Sequence, residues 1–216
     1  MIKVAPSLLA SDYLHFGDAL DKVIASDADV LHYDVMDGAF VPAITFGQDL
    51  LGRLAAKGFP VDAHLMIIHP EKHIDEFADV GAQYITVHQE AAGFELSDTL
   101  RRIRARGCKA GISVKPFTDV QAISECLELC DLILIMTVEP GKGGQKLLPF
   151  TLDKVRAVKR MCDERGLSPV IEVDGGINLE TAPLAIEAGA DMLVTGSAFF
   201  KAPDAKAFVD KIKHSI

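Results

Sequence analysis

Short β-rich runs alternate with amphipathic stretches eight times along this chain, and no other feature constrains its fold as tightly. The β-rich runs cover residues 2–6, 29–35, 61–66, 83–88, 109–114, 131–136, 170–173 and 191–195. Helical patterns fill the gaps at 13–25, 46–57, 70–80, 97–106, 120–129, 149–165, 179–188 and 204–214. Strict β/α alternation selects parallel strands joined by right-handed crossovers, which leaves an open doubly wound sheet or a closed eight-stranded barrel. Eight units in 216 residues fit one compact barrel. The expected architecture is therefore α/β, a single TIM (β/α)8 barrel forming one catalytic domain over residues 1–216, with no Pro-rich or Ser-rich linker inside it.

Composition narrows the partners. The net charge is −9, and no window concentrates Lys and Arg with aromatic residues. The densest basic stretch, Arg101, Arg102, Arg104 and Arg106, lies in a helical pattern before Gly107 and reads as a solvated helix face, so nucleic acid is not expected as a partner. Residues 1–6 lack a charged region followed by a long apolar run, and nowhere do 18 apolar residues follow one another. The expectation is a cytoplasmic protein with no membrane partner. Cys108, Cys126, Cys130 and Cys162 show no CxxC spacing. The four-residue spacing of Cys126 and Cys130 allows a disulfide or a ligand pair, but reduced, largely buried thiols are the better reading.

The segment Leu31-His32-Tyr33-Asp34-Val35-Met36-Asp37-Gly38 carries the first chemical signal. In a strand, His32, Asp34 and Met36 share one face, while Leu31, Tyr33 and Val35 share the other. A barrel gathers the C-terminal ends of its strands at one mouth. That geometry brings Ser7, His32, Asp34, His64 and Asp174 together, with Met36, Met66 and Met136 around them. Two imidazoles and two carboxylates can hold one divalent ion and still admit substrate oxygens. Taken singly, His64 could be a packed histidine bonded to a carbonyl, and Asp174 could simply open a turn. Their convergence favours a cation, because a core rarely collects buried carboxylates without one.

A second set consists of Gly141-Lys142-Gly143-Gly144-Gln145 after run six, Gly175-Gly176 after run seven and Gly196-Ser197 after run eight. Glycines let backbone N–H groups approach an anion closely, and the loops after strands seven and eight form the usual phosphate site of this barrel. Ordinary tight βα turns would also place glycines here. Three such turns on adjacent units point to a phosphorylated substrate.

The motifs APSLLASD at 5–12, LHYDVMDGAFVP at 31–42, DAHLM at 62–66, MTVEPGKGGQK at 136–146, VDGGIN at 173–178 and GADMLVTGSAFF at 189–200 are specific in combination. From Val4 to Phe200 the chain resembles the ribulose-phosphate 3-epimerase family. The resemblance implies a TIM barrel that interconverts D-ribulose 5-phosphate and D-xylulose 5-phosphate. It implies one divalent metal ion per subunit, zinc, iron, manganese or cobalt, held by His32, Asp34, His64 and Asp174. It further implies Asp34 and Asp174 as acid and base about a metal-stabilised enediolate. Substrate contacts are implied for Ser7, His64 and Asp174, and for the phosphate-holding Gly141, Lys142, Gly143, Gly144, Gly175, Gly176, Gly196 and Ser197. The implied partners are a phosphorylated ketose and further copies of the chain, since the family forms homo-oligomers.

Two positions depart from the family pattern. Lys142 stands in GKGGQ where GFGGQ is usual, and Lys115 stands in SVKP where asparagine is usual. Both add positive charge near the expected mouth, so a neighbouring activity on another phosphorylated ketose, such as D-allulose 6-phosphate, is the alternative reading. Aldol or decarboxylase chemistry on a related barrel typically uses a lysine between paired aspartates, and no DxKxxD run occurs.

Overall fold

A computed structural model describes residues 1–215, the Phe94 side chain excepted. Its eight strands are β1 (Lys3–Pro6), β2 (Leu31–Met36), β3 (Val61–Met66), β4 (Tyr84–His88), β5 (Lys109–Val114), β6 (Leu132–Met136), β7 (Val170–Asp174) and β8 (Met192–Thr195). All pair in parallel, in the order β1-β8-β7-β6-β5-β4-β3-β2. The parallel bridge between Ser7 and His32 links the two ends of that sheet, so the strands form a nearly closed barrel. Each strand lies within two residues of the run expected from the sequence.

Period-two alternation explains the layers. Outward-facing Leu31, Tyr33, Val35, Leu65, Ile85, Val87, Ile112, Ile133, Ile135 and Val173 pack into the main core beneath the helices. Inward-facing Ala5, Tyr84, Leu132, Leu134, Met136, Met192 and Val194 form a separate apolar cluster inside the barrel. The interior is not uniformly apolar, because β2, β3, β4 and β7 send His32, Asp34, Asp62, His64, Thr86, His88 and Glu172 into it, all fully buried or nearly so. Space for this polar side comes partly from Gly111, where an added Cβ would overlap Thr86. The Thr86 hydroxyl then donates to Asp62 at 3.1 Å.

Several helical patterns take a tighter form than their periodicity suggests. Residues 120–129 form a 3-10 helix, Val120–Leu129, with the Asp119 side chain accepting from the Gln121 N–H at its start. Val120, Ile123 and Cys126 are buried at every third position, which matches three residues per turn. The pattern at 70–80 divides into a 3-10 turn, Pro70–Lys72, and the helix Ile74–Asp79. The pattern at 13–25 likewise divides into Tyr13–His15 and Phe16–Ala25. Two short helices follow the strands closely, Gln89–Ala92 directly after β4 and Ser197–Phe200 one residue after β8. The four cysteines are free. Among the described residues no helix is long and apolar enough to cross a membrane.

Candidate active site

The β2–β3 register sets His32 beside Asp62, Asp34 beside His64 and Met36 beside Met66. Asp174 ends β7, opposite Met136 on β6. Through this register, donor atoms of His32, Asp34, His64 and Asp174 all fall within 4.8 Å of one another. Nε2 of His32 lies 3.3 Å from Nδ1 of His64 and 3.3 Å from Oδ1 of Asp34. Nδ1 of His64 lies 3.1 Å from the same Asp34 oxygen, and the Ser7 hydroxyl donates to the other.

The donor set fits a divalent cation. Oδ2 of Asp62 accepts from Nδ1 of His32 at 2.9 Å, which leaves Nε2 as the ring nitrogen that faces the centre and would offer a lone pair to a cation once its proton is displaced. Two ring nitrogens and two carboxylates at this spacing repel one another unless protons or a cation lie among them. Two imidazoles with two carboxylates suit zinc, iron, manganese or cobalt.

The environment separates the two carboxyls. Burial opposes the charge of Asp34, but His32 and then His64 outweigh it by charge and hydrogen bonding and hold the group far below the usual carboxylate range. Burial, followed by repulsion from Asp34, pushes Asp174 up to about 6. Burial also disfavours the His32 imidazolium, yet Asp34 chiefly, with Asp62 and Glu172, holds its pKa well above the ordinary value.

A solvent-open cavity lies at the mouth of the barrel. Ser7, Asp34, Asp174 and all three expected methionines, Met36, Met66 and Met136, line one part of it. Gly141, Lys142, Gly143, Gly144, Gly175, Gly176, Gly196 and Ser197 line the rest. The Thr137 hydroxyl donates to Gly175 O at 2.6 Å and so ties the β6 exit to the glycine turn after β7. The Gln145 amide donates to the carbonyls of Glu139 and Lys142, each at 2.7 Å, and pins the 141–144 loop. Gly176 has φ +69°, and a Cβ there would strike the Leu147 backbone, so only glycine fits.

The two unusual lysines occupy different places. Lys142 is exposed and lines the cavity. Lys115 does not line it; its Nζ sits 3.9 Å from the centroid of the Phe40 ring, which in turn packs on His88 at 4.8 Å. Four further polar residues escaped the sequence reading. Asp62 and Glu172 lie behind His32 inside the barrel. Burial and the charge of Asp62 push Glu172 up to about 8, and among the described residues neither of its oxygens has a hydrogen-bond partner. His88 and Glu90 lie behind His64. Inward-facing strand positions were the available signal for Asp62, His88 and Glu172; Glu90 lies in the helix after β4 and offered none.

Eight parallel strands with a polar centre at their carboxyl ends define a (β/α)8-barrel enzyme. Residues 3–200 match the model of the ribulose-phosphate 3 epimerase family. The chain is 46% identical over 217 residues to the ribulose-phosphate 3-epimerase of Bacillus subtilis (strain 168), covering 100% of each. It is 40% identical to the Escherichia coli (strain K12) protein of the same name, covering 99% of this chain and 95% of that one. This chain belongs to the ribulose-phosphate 3-epimerase family. In fold alone it is similar to 3-hexulose-6-phosphate synthase, with a TM-score of 0.72 at 20% identity and 100% coverage of both chains. The 3-keto-L-gulonate-6-phosphate decarboxylase of Vibrio cholerae is similar in the same sense, with a TM-score of 0.71 at 14% identity, covering 98% of this chain and 95% of that one.

Proposed function

We propose that this protein interconverts D-ribulose 5-phosphate and D-xylulose 5-phosphate, with Asp34 and Asp174 exchanging the proton on the carbon beside the ketone. One observation carries the mechanistic reading: two carboxyls share a cavity, one held ionised and the other pushed up to about 6. Environments that drive paired acids apart in this way are how acid and base roles are divided. Asp34, ionised, takes the proton from one face. Asp174, the better proton holder, returns one to the other face, and the roles reverse for the opposite epimer.

The Ser7 hydroxyl fixes the Asp34 carboxylate by donating to it. Met36, Met66 and Met136 present thioether and methylene surface to the cavity and limit water near the reacting carbon. Main-chain N–H groups of the Gly141–Gly144, Gly175-Gly176 and Gly196-Ser197 segments hold the phosphate end. His32, Asp34, His64 and Asp174 would hold one divalent ion, whose chemistry when bound is Lewis-acid polarisation of the ketone. The family resemblance supports assembly with further copies of the chain.

The test follows both epimerisation and solvent exchange of the ketose proton by NMR in D2O. Asp34→Asn and Asp174→Asn should each lower exchange roughly 10²–10⁴-fold, the usual worth of a positioned acid or base. Near-wild-type exchange in either variant refutes the two-carboxylate mechanism. Chelation should abolish activity and a divalent ion restore it; full activity in rigorously metal-free protein refutes the ion's role.

A further inference from the structure

His64 is held from behind by a hydrogen-bonded pair that leads away from the cavity. Its Nε2 lies 2.9 Å from Nε2 of His88, and Nδ1 of His88 lies 3.2 Å from Oε2 of Glu90. Oε1 of Glu90 accepts from the Lys115 backbone N–H at 2.7 Å and from the Thr118 hydroxyl. His88 is fully buried at the end of β4, and its ring centroid lies 5.0 Å from that of His64. Glu90 sits in the short helix Gln89–Ala92 that starts at once after β4, so the chain delivers the carboxylate two residues beyond the imidazole it supports.

The proton positions along this line follow from what each group can do. An ionised carboxylate only accepts, and Oε1 already receives two donors, so Nδ1 of His88 carries a proton for Oε2. A neutral imidazole with its proton on Nδ1 has a lone pair on Nε2. One proton must lie between the two Nε2 atoms, and it belongs to His64. With an ion in place of the protons shared among Asp34, His32 and His64, the lone pair of His64 then sits on Nδ1, the atom that faces that site.

We propose that Glu90 and His88 are positioning residues that fix the tautomer and ring orientation of His64, so that its Nδ1 lone pair is presented to the divalent-ion site. This rests on the reading of His32, Asp34, His64 and Asp174 as ligands, and it adds a dependence on a carboxylate that touches neither ion nor substrate. A carboxylate–histidine pair performs the service that a ligating histidine's second nitrogen usually receives from one group.

Glu90→Gln tests it sharply. The Lys115 N–H and Thr118 hydroxyl hold the amide carbonyl of Gln at the Oε1 position, so its NH2 faces Nδ1 of His88. A donor there demands a lone pair on His88 Nδ1, which moves the His88 proton to Nε2 and the His64 proton to Nδ1, where the ion would bind. Zinc affinity, measured by competition with a chromophoric chelator, should fall roughly 10–100-fold in this variant. Phe40→Leu, which removes the ring that packs on His88 and lies beneath the Lys115 Nζ but leaves every hydrogen bond of the line in place, should keep wild-type affinity. In zinc-loaded wild-type protein, long-range ¹H–¹⁵N spectra should place the His88 proton on Nδ1 and the His64 proton on Nε2. Wild-type zinc affinity in Glu90→Gln, an equal loss in Phe40→Leu, or a His88 proton on Nε2 overturns the positioning proposal. Failure of the wild-type protein to bind zinc instead overturns the ligand reading on which it rests.

Discussion

Without a bound ion, Asp174 carries a folding cost that Asp174→Asn should relieve. An unfolded aspartate titrates near 3.8, whereas burial and the charge of Asp34 push folded Asp174 up to about 6. Between those values the folded protein binds more protons than the unfolded chain, so stability falls as pH rises through the interval. Below 3.8 the cost is absent; above about 6 it is complete. At about 1.36 kcal/mol per pH unit, the interval from 3.8 to about 6 corresponds to about 3 kcal/mol. The Asp174 side chain is 18% exposed, so water recovers part of this, and a gain of about 1–3 kcal/mol is expected for the variant at pH 8. For a chain of this length each kcal/mol moves Tm by roughly 2–4 °C. The assay is urea unfolding of chelator-treated protein, followed by circular dichroism at pH 8 and at pH 4, where the gain should shrink toward zero. Saturating zinc should reverse the order at pH 8, because the wild-type protein gains more from a tighter ligand set. A variant no more stable than wild type at pH 8, or a difference independent of pH, refutes the reasoning.

Two further outcomes follow from the cavity wall. Gly176→Ala forces a Cβ toward the Leu147 backbone at φ +69°, so it should destabilise the fold by at least about 1–2 kcal/mol and raise KM for the sugar phosphate. An unchanged KM in a folded variant removes the turn from the phosphate site. Lys142→Phe should shift the ratio of kcat/KM between ketopentose and ketohexose phosphates, because Lys142 lines the cavity; unchanged selectivity shows that this lysine only meets solvent.

Local pattern carried much of the architecture. Period-two runs separated by amphipathic stretches identify eight parallel strands because side-chain alternation and crossover handedness are properties of short segments. The same alternation placed His32, Asp34 and Met36 on one face, and glycine-rich turns after β6, β7 and β8 marked the wall of the cavity. The 3-10 form of Val120–Leu129 was less legible, because buried positions three apart fit a helical period as well as a tighter one.

The sequence by itself therefore determined the barrel and most of the residues at its mouth. Tertiary structure alone decided how those residues differ. Asp34 and Asp174 are the same residue type, yet Asp34 lies 3.3 and 3.1 Å from two imidazoles while Asp174 comes no nearer than 3.9 Å to His32 and is repelled by Asp34, and distances across the barrel set that contrast. His88 with Glu90, and Asp62 with Glu172, acquire meaning only from the strand register that sets them behind His64 and His32. Lys115 and Lys142 likewise read alike in sequence, but one caps Phe40 and the other faces the cavity. Charge, burial and hydrogen-bond partnership depend on neighbours far along the chain, so no local pattern can encode them.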